Sequence, residues 1–219
     1  MGTARKHIGK AATSALLATL VGLLAACGGG GGGGEGDGGG NTPVPTPTPT
    51  PPVVTSKWAY VVNEFDDTVS QFKVGADGKF TPLSPEAVPT ADAPQWITVD
   101  PSGRFAYVTN ADGKISQYRI STEAGKEGSL IDLGVVAPTA PGAASVPRSI
   151  TVDPSSKYAY VANAGSNTDA IWQFSIGSDG RLTRLTNSQL GTGVQSVTVD
   201  PSGRYVYAAN QTNNTVSQF

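Results

Sequence analysis

From residue 58 onward, apolar and polar positions alternate in short runs, the signature of half-buried strands. The clearest run is residues 97–110, reading ITVDPSGRFAYVTN. It returns at 150–163 (ITVDPSSKYAYVAN) and 197–210 (VTVDPSGRYVYAAN), and its second half stands alone at 58–63 (WAYVVN). Ile97 and Val99 flank Thr98, a strand pattern. Asp100-Pro101-Ser102-Gly103 then has turn chemistry: Asp can bond nearby backbone, Pro presets its own φ, and Gly tolerates a left-handed conformation. Phe105, Tyr107 and Val108 are strand formers. Each copy therefore reads as strand, tight turn, strand. Ser156 stands where the other copies have glycine, which predicts a turn that is strained or differently shaped.

The pattern continues into a third strand at 68–72 (TVSQF), 114–118 (KISQY), 170–174 (AIWQF) and 215–219 (TVSQF). Asp77-Gly78 and Asp179-Gly180 then lead to fourth strands near 80–83 and 182–185. In the second copy residues 121–129 are inserted at that turn. Four strands per unit of roughly 40–50 residues is the blade of a β-propeller, so the predicted class is all-β, with four-stranded antiparallel blades. The copy at 58–63 lacks its preceding strand, and the last copy ends on its third. That amounts to about three to four blades, whereas closed propellers have about four to eight. The expectation is a fragment of a longer propeller, completed by further C-terminal blades or by self-association.

Residues 1–26 predict a targeting segment rather than part of the fold: Arg5, Lys6 and Lys10 precede an apolar stretch that is short for a membrane span. It ends in Leu24-Ala25-Ala26-Cys27 and resembles a bacterial lipoprotein signal, which implies lipidation at Cys27. The expected location is the cell envelope, anchored at the outer membrane or held in the periplasm or at the cell surface. Cys27 is the single cysteine, so no internal disulfide can form. Residues 27–56 are Gly-rich and then Pro/Thr-rich, a flexible coil followed by a stiff spacer. The glycines do not form a phosphate loop, because no Gly-Lys-Ser/Thr closes them. The propeller repeats then occupy 57–219.

Charge narrows the partners. Three of the 15 bases lie in the leader, while all 17 acids follow it. An acidic chain of this kind excludes a nucleic-acid partner. The one histidine, His7, also lies in the leader. The rest of the chain therefore has no imidazole, which removes the commonest general base and any Ser-His-Asp triad.

Tyr107-Val108-Thr109-Asn110 resembles the signature of the YVTN-type β-propeller repeats of surface-layer and other exported proteins. The repeats are also similar to those of the lactonase seven-bladed propeller family, which includes 6-phosphogluconolactonases. Residues 60–64 (YVVNE) match a Tyr-Val-x-Asn-Glu motif of that family. Pro147-Arg148-Ser149 stands where the family often has Pro-Arg-His. The departure is Ser149, with Trp96 and Ser196 at the equivalent positions of other copies. The resemblance implies that a lactonase here would use Glu64 as base and Arg148 to hold an anion, or residues beyond Phe219.

Blade geometry locates a site. The capped turns share one face of a propeller. The loops 64–67, 111–114, 164–169 and 211–214 and the connector 135–147 share the other, and varied loops on a regular scaffold carry binding. Glu64, Trp96, Arg148 and Gln195 are expected to open on that face near the channel. Asp100, Asp153 and Asp200 read as turn caps. Asn63, Asn110, Asn163 and Asn210 read as turn closers, and Phe105, Tyr158 and Tyr205 as packing between blades. Glu64 with Asp66 and Asp67 lacks the spacing of a cation loop, so neither metal nor cofactor is expected. The leading expectation is a lipid-anchored binding or scaffolding module for a protein or glycan. The alternative is a lactone hydrolase with Glu64 and Arg148 in catalytic roles.

Overall fold

The computed structural model describes residues 57–137, 145–165, 171–188 and 193–219, all within the unit Val54–Phe219. The leader, Cys27 and the spacer lie outside the described residues. So do 138–144 of the connector and 166–169 of the loop after Ala164.

The described residues form antiparallel strands in four sheets, each in chain order. The first holds β1 (Trp58–Asn63), β2 (Thr68–Val74) and β3 (Phe80–Pro89). The second holds β4 (Pro94–Val99), β5 (Phe105–Asn110), β6 (Ile115–Ile120) and β7 (Leu130–Val136). The third holds β8 (Pro147–Val152), β9 (Tyr158–Asn163), β10 (Ile171–Ile176) and β11 (Leu182–Ser188). The fourth holds β12 (Val194–Val199), β13 (Val206–Asn210) and β14 (Thr215–Gln218). These are the predicted blades, although the outer strands β3 and β11 run longer than the sequence indicated.

Each turn from first to second strand is built around its aspartate. Asp100 Oδ1 accepts the Arg104 and Phe105 N–H groups at 2.8 and 2.7 Å, and Oδ2 accepts from the backbone and hydroxyl of Ser102. Asp153 and Asp200 repeat the arrangement. The caps predicted from sequence are thus present. Ser156 adopts the same left-handed backbone as its glycine counterparts, with φ 57° against 70° at Gly103 and 72° at Gly203. Its N–H closes the turn onto the Asp153 carbonyl at 2.9 Å. Of the two predicted outcomes, the turn keeps its shape and carries the strain.

The sheets pack face to face, and each of the three interfaces holds one apolar cluster. Between the first and second sheets lie Val69, Ala106, Val108, Tyr118, Ile120 and Leu130. Between the second and third lie Phe105, Tyr107, Ile150, Trp172 and Phe174 among others. Val194, Val197 and Ala208 meet Ala162 and Ile171 between the third and fourth.

Polar bonds set the spacing at these interfaces. Tyr60 donates to the Gly128 carbonyl at 2.6 Å and Tyr107 to that of Gly180 at 2.9 Å, each reaching an outer turn of the next sheet. Burial pushes both phenols above their ordinary pKa, so they remain donors. Gln71 accepts from Leu130 N–H at 2.6 Å, and Gln117 from Leu182 N–H at 2.7 Å. The aromatic two residues before each tyrosine lies against the same glycine: a Cβ on Gly128 would overlap Trp58, and one on Gly180 would overlap Phe105. Phe105 is buried as predicted. Tyr158 and Tyr205 instead stand 45% and 41% exposed, because no outer turn of a following sheet covers them among the described residues.

Gly78 and Gly180 hold the same turn position with positive φ, but only Gly180 has a sheet against it. Gly78→Ala should therefore cost about 1 kcal/mol, the left-handed penalty alone. Gly180→Ala should cost about 2–4 kcal/mol because overpacking is added. Urea midpoints of the two variants test this, and equal shifts would contradict the clasp.

Acid should unfold the repeats through their caps. Burial raises the Asp153 pKa, but the Ser155 hydroxyl and the N–H groups of Tyr158, Lys157 and Ser155 outweigh it and hold the carboxyl below its usual value. Asp200 is lowered to about 2, first by the Ser202 hydroxyl and then by the Tyr205 N–H. Both folded pKa values lie below the unfolded one, so the caps contribute fully above pH ~4 and are lost as protons bind below it. For Asp200 that window closes near pH 2. Stability followed by circular dichroism should fall across this range, and Asp200→Asn should flatten its lower part.

Candidate active site at the inner-strand bulges

The inner strands β4, β8 and β12 share one irregularity. Each register shifts in its first residues, between Pro94 and Trp96, Pro147 and Ser149, and Val194 and Ser196. The extra residue is Gln95, Arg148 or Gln195. A bulge leaves its residue out of the ladder and re-aims the side chain. The three side chains thus occupy matching positions at the start of adjacent inner strands.

Two of them join with Glu64 in a hydrogen-bonded chain across three sheets. Gln95 Nε2 donates to Glu64 Oε1 at 3.1 Å, and Arg148 Nη1 donates to Gln95 Oε1 at 3.0 Å. Gln95 Nε2 also reaches the Ala93 carbonyl at 3.2 Å. Arg148 is held by the bulge of β8, and Glu64 by the turn closing β1, where Asp66 N–H bonds to the Asn63 carbonyl. Asn63 Nδ2 ties that turn down by donating to Thr68 and Ser70 at 2.9 Å. Glu64 and Arg148 are both solvent-exposed. The amide between them is oriented by its neighbours, its N–H toward the carboxylate and its C=O toward the guanidinium.

The structure thus brings Glu64 and Arg148 together through a residue that sequence reasoning passed over. Gln95 shares the register of Arg148 and Gln195 within its repeat, and that was the available signal. Gln195 takes the same bulge position on β12 and is half-buried. Trp96 packs against the core cluster between the second and third sheets. Ser149, in the family's histidine position, is buried and accepts from Val197 N–H at 3.0 Å, tying β8 to β12. Asp67 Oδ1 is occupied by the Ala93 N–H at 2.7 Å. Among the described residues no group of three or more metal-ligating side chains converges.

The arrangement offers a carboxylate with one oxygen free of Gln95 and a guanidinium with further N–H groups, both exposed to solvent. That pair can activate water and hold a developing oxyanion without an imidazole.

Antiparallel three- and four-stranded sheets, each in chain order and stacked face to face, define β-propeller blades. The chain belongs to the Lactonase, 7-bladed beta-propeller family, whose profile matches residues 97–219. It is 29% identical over 144 residues to a 6-phosphogluconolactonase of Serratia proteamaculans, covering 63% of this chain and 41% of that protein. Two solved structures share the fold over 74% of this chain. A Bacteroides fragilis protein described as a candidate 6-phosphogluconolactonase has TM-score 0.64, 23% identity and 47% of its own length covered. The periplasmic gluconolactonase PpgL of Pseudomonas aeruginosa has TM-score 0.64, 20% identity and 46% covered. The chain thus spans less than half the length of each of these relatives.

These matches correct the leading expectation of a binding or scaffolding module. That expectation leaned on the missing histidine, yet the chain falls within a lactonase family and its curated relative is a 6-phosphogluconolactonase. A carboxylate and a guanidinium joined through an amide offer acid–base and anion-holding groups that do not include imidazole.

Proposed function

We propose that this protein is a lactone hydrolase, a carboxylic ester hydrolase acting on a cyclic ester. The observation that carries the reading is the chain of hydrogen bonds from Arg148 through Gln95 to Glu64, set in a lactonase-family fold. Glu64 Oε1 is committed to Gln95, which leaves Oε2 to take a proton from water. The water oxygen bonds to the lactone carbonyl carbon while the carbonyl electron pair moves onto its oxygen. The remaining N–H groups of Arg148 face that oxyanion. Collapse restores the carbonyl, breaks the ring C–O bond and expels the ring oxygen, which recovers the proton from Glu64. The product is the open hydroxy acid. Gln95 keeps the carboxylate and guanidinium at fixed separation, so little reorganisation accompanies the charge movement.

Glu64→Gln should keep the fold and the hydrogen bond from Gln95 but lose the base, lowering kcat by about 10²–10⁴-fold. Arg148→Ala should lower it by about 10²–10³-fold. A pH-stat assay of lactone opening reads both. Undiminished turnover in Glu64→Gln would remove the proposed base.

We also propose that Cys27 is lipidated and holds the protein in the bacterial cell envelope. The support is the basic and then apolar leader ending in Leu24-Ala25-Ala26-Cys27. Fractionation of cells expressing Cys27→Ala should find the protein released from membranes, and continued membrane retention would overturn the anchor.

A further inference from the structure

The bulge position is filled three times, and its three side chains are engaged differently. Gln95 is committed at both ends, to Glu64 on the first sheet and to Arg148 on the third. Arg148 is committed through Nη1 to Gln95, which leaves its other N–H groups. Gln195 is half-buried, and among the described residues its amide has no hydrogen-bond partner.

The fourth sheet is tied to the third beside this amide. Ser149, next to Arg148, accepts at 3.0 Å from the N–H of Val197, two residues after Gln195. The register shifts also match, between Pro147 and Ser149 in β8 and between Val194 and Ser196 in β12. Arg148 and Gln195 therefore open neighbouring inner strands at one level, as Gln95 and Arg148 do. Glu64, Gln95, Arg148 and Gln195 follow one another across the four sheets.

A primary amide carries two N–H donors and a carbonyl acceptor. Folded chains pair such groups when they withdraw them from water, and no protein partner does so for Gln195. The order of the groups says which part of a lactone meets it. In the proposed reaction the attacking water and its base, Glu64, hold the side of the first sheet. The carbonyl oxygen lies at the remaining N–H groups of Arg148. The rest of the ring then extends past Arg148 on the side of the fourth sheet, where Gln195 stands.

We infer that Gln195 is a specificity-determining residue whose amide binds an oxygen-bearing substituent of the lactone ring, on the side away from the attacking water. This rests on the lactone-hydrolase reading and deepens it. Gln195 takes no proton and faces no developing charge. Its bond is made equally in substrate and transition state, so its loss appears in KM rather than kcat.

The test uses two probes, δ-gluconolactone and δ-valerolactone, the same six-membered ring with and without hydroxylated carbons. Gln195→Met keeps the side-chain volume and removes the hydrogen-bonding atoms. It should lower the ratio of kcat/KM for δ-gluconolactone over δ-valerolactone by about 3–10-fold, through KM of the hydroxylated ring. Gln195→Asn, which keeps the amide on a shorter stem, serves if methionine disturbs the bulge, and should lower the ratio less. An unchanged ratio would overturn the inference and leave lactone hydrolysis standing. Equal loss on both lactones, or a fall in kcat with KM unaltered, would overturn it as well. Failure of the unaltered protein on both probes would remove the lactone-hydrolase reading, and this inference with it.

Discussion

The first three sheets bury polar side chains whose partners lie on the next sheet. Gln71 and Gln117 are almost wholly inaccessible, and each accepts from the first N–H of a neighbouring outer strand. Tyr60 and Tyr107 reach one turn away to a glycine carbonyl. A buried polar group left unpaired costs about 1–3 kcal/mol, so two sheets cannot slide or splay without losing several such bonds together. Apolar packing alone would tolerate a range of angles. The directional bonds select one and repeat it at successive interfaces.

The site depends on that selection. Glu64, Gln95 and Arg148 belong to three different sheets, and their contacts of 3.1 and 3.0 Å exist only while the inner strands hold their spacing. Ser149 contributes to the same end by accepting from Val197 on the fourth sheet. Where the family's motif has a histidine, this chain has a serine that fastens one inner strand to the next. Bulges at the start of β4, β8 and β12 take Gln95, Arg148 and Gln195 out of the ladder. Regularity elsewhere in the strand gives way at the residues with a polar task.

Much of the blade could be read directly from residues. The alternation of Ile97, Val99 and Phe105, the Asp-Pro-Ser-Gly turns and the Asp-Gly turns each state a local preference that the fold keeps. Ser156 shows the limit of local reading, because the neighbouring sheet and the Asp153 cap hold it in a conformation that serine avoids. Trp96 breaks the repeat, and only the fold shows that it is partly buried against the cluster between two sheets. Glu64 and Arg148 were identifiable because they sit in recognisable motifs. Gln95 offered only the register it shares with Arg148 and Gln195, because its partners come from two other sheets.

The sequence by itself determined the strands, the turns, the period and the lack of an imidazole beyond the leader, because each follows from short-range preference or from composition. Only the tertiary structure decided which glycine receives a tyrosine, which serine ties β8 to β12, and which amide joins a carboxylate to a guanidinium. Those choices pair residues some 30 to 70 positions apart. No local rule encodes such pairs, and they are fixed only when one sheet is stacked on the next.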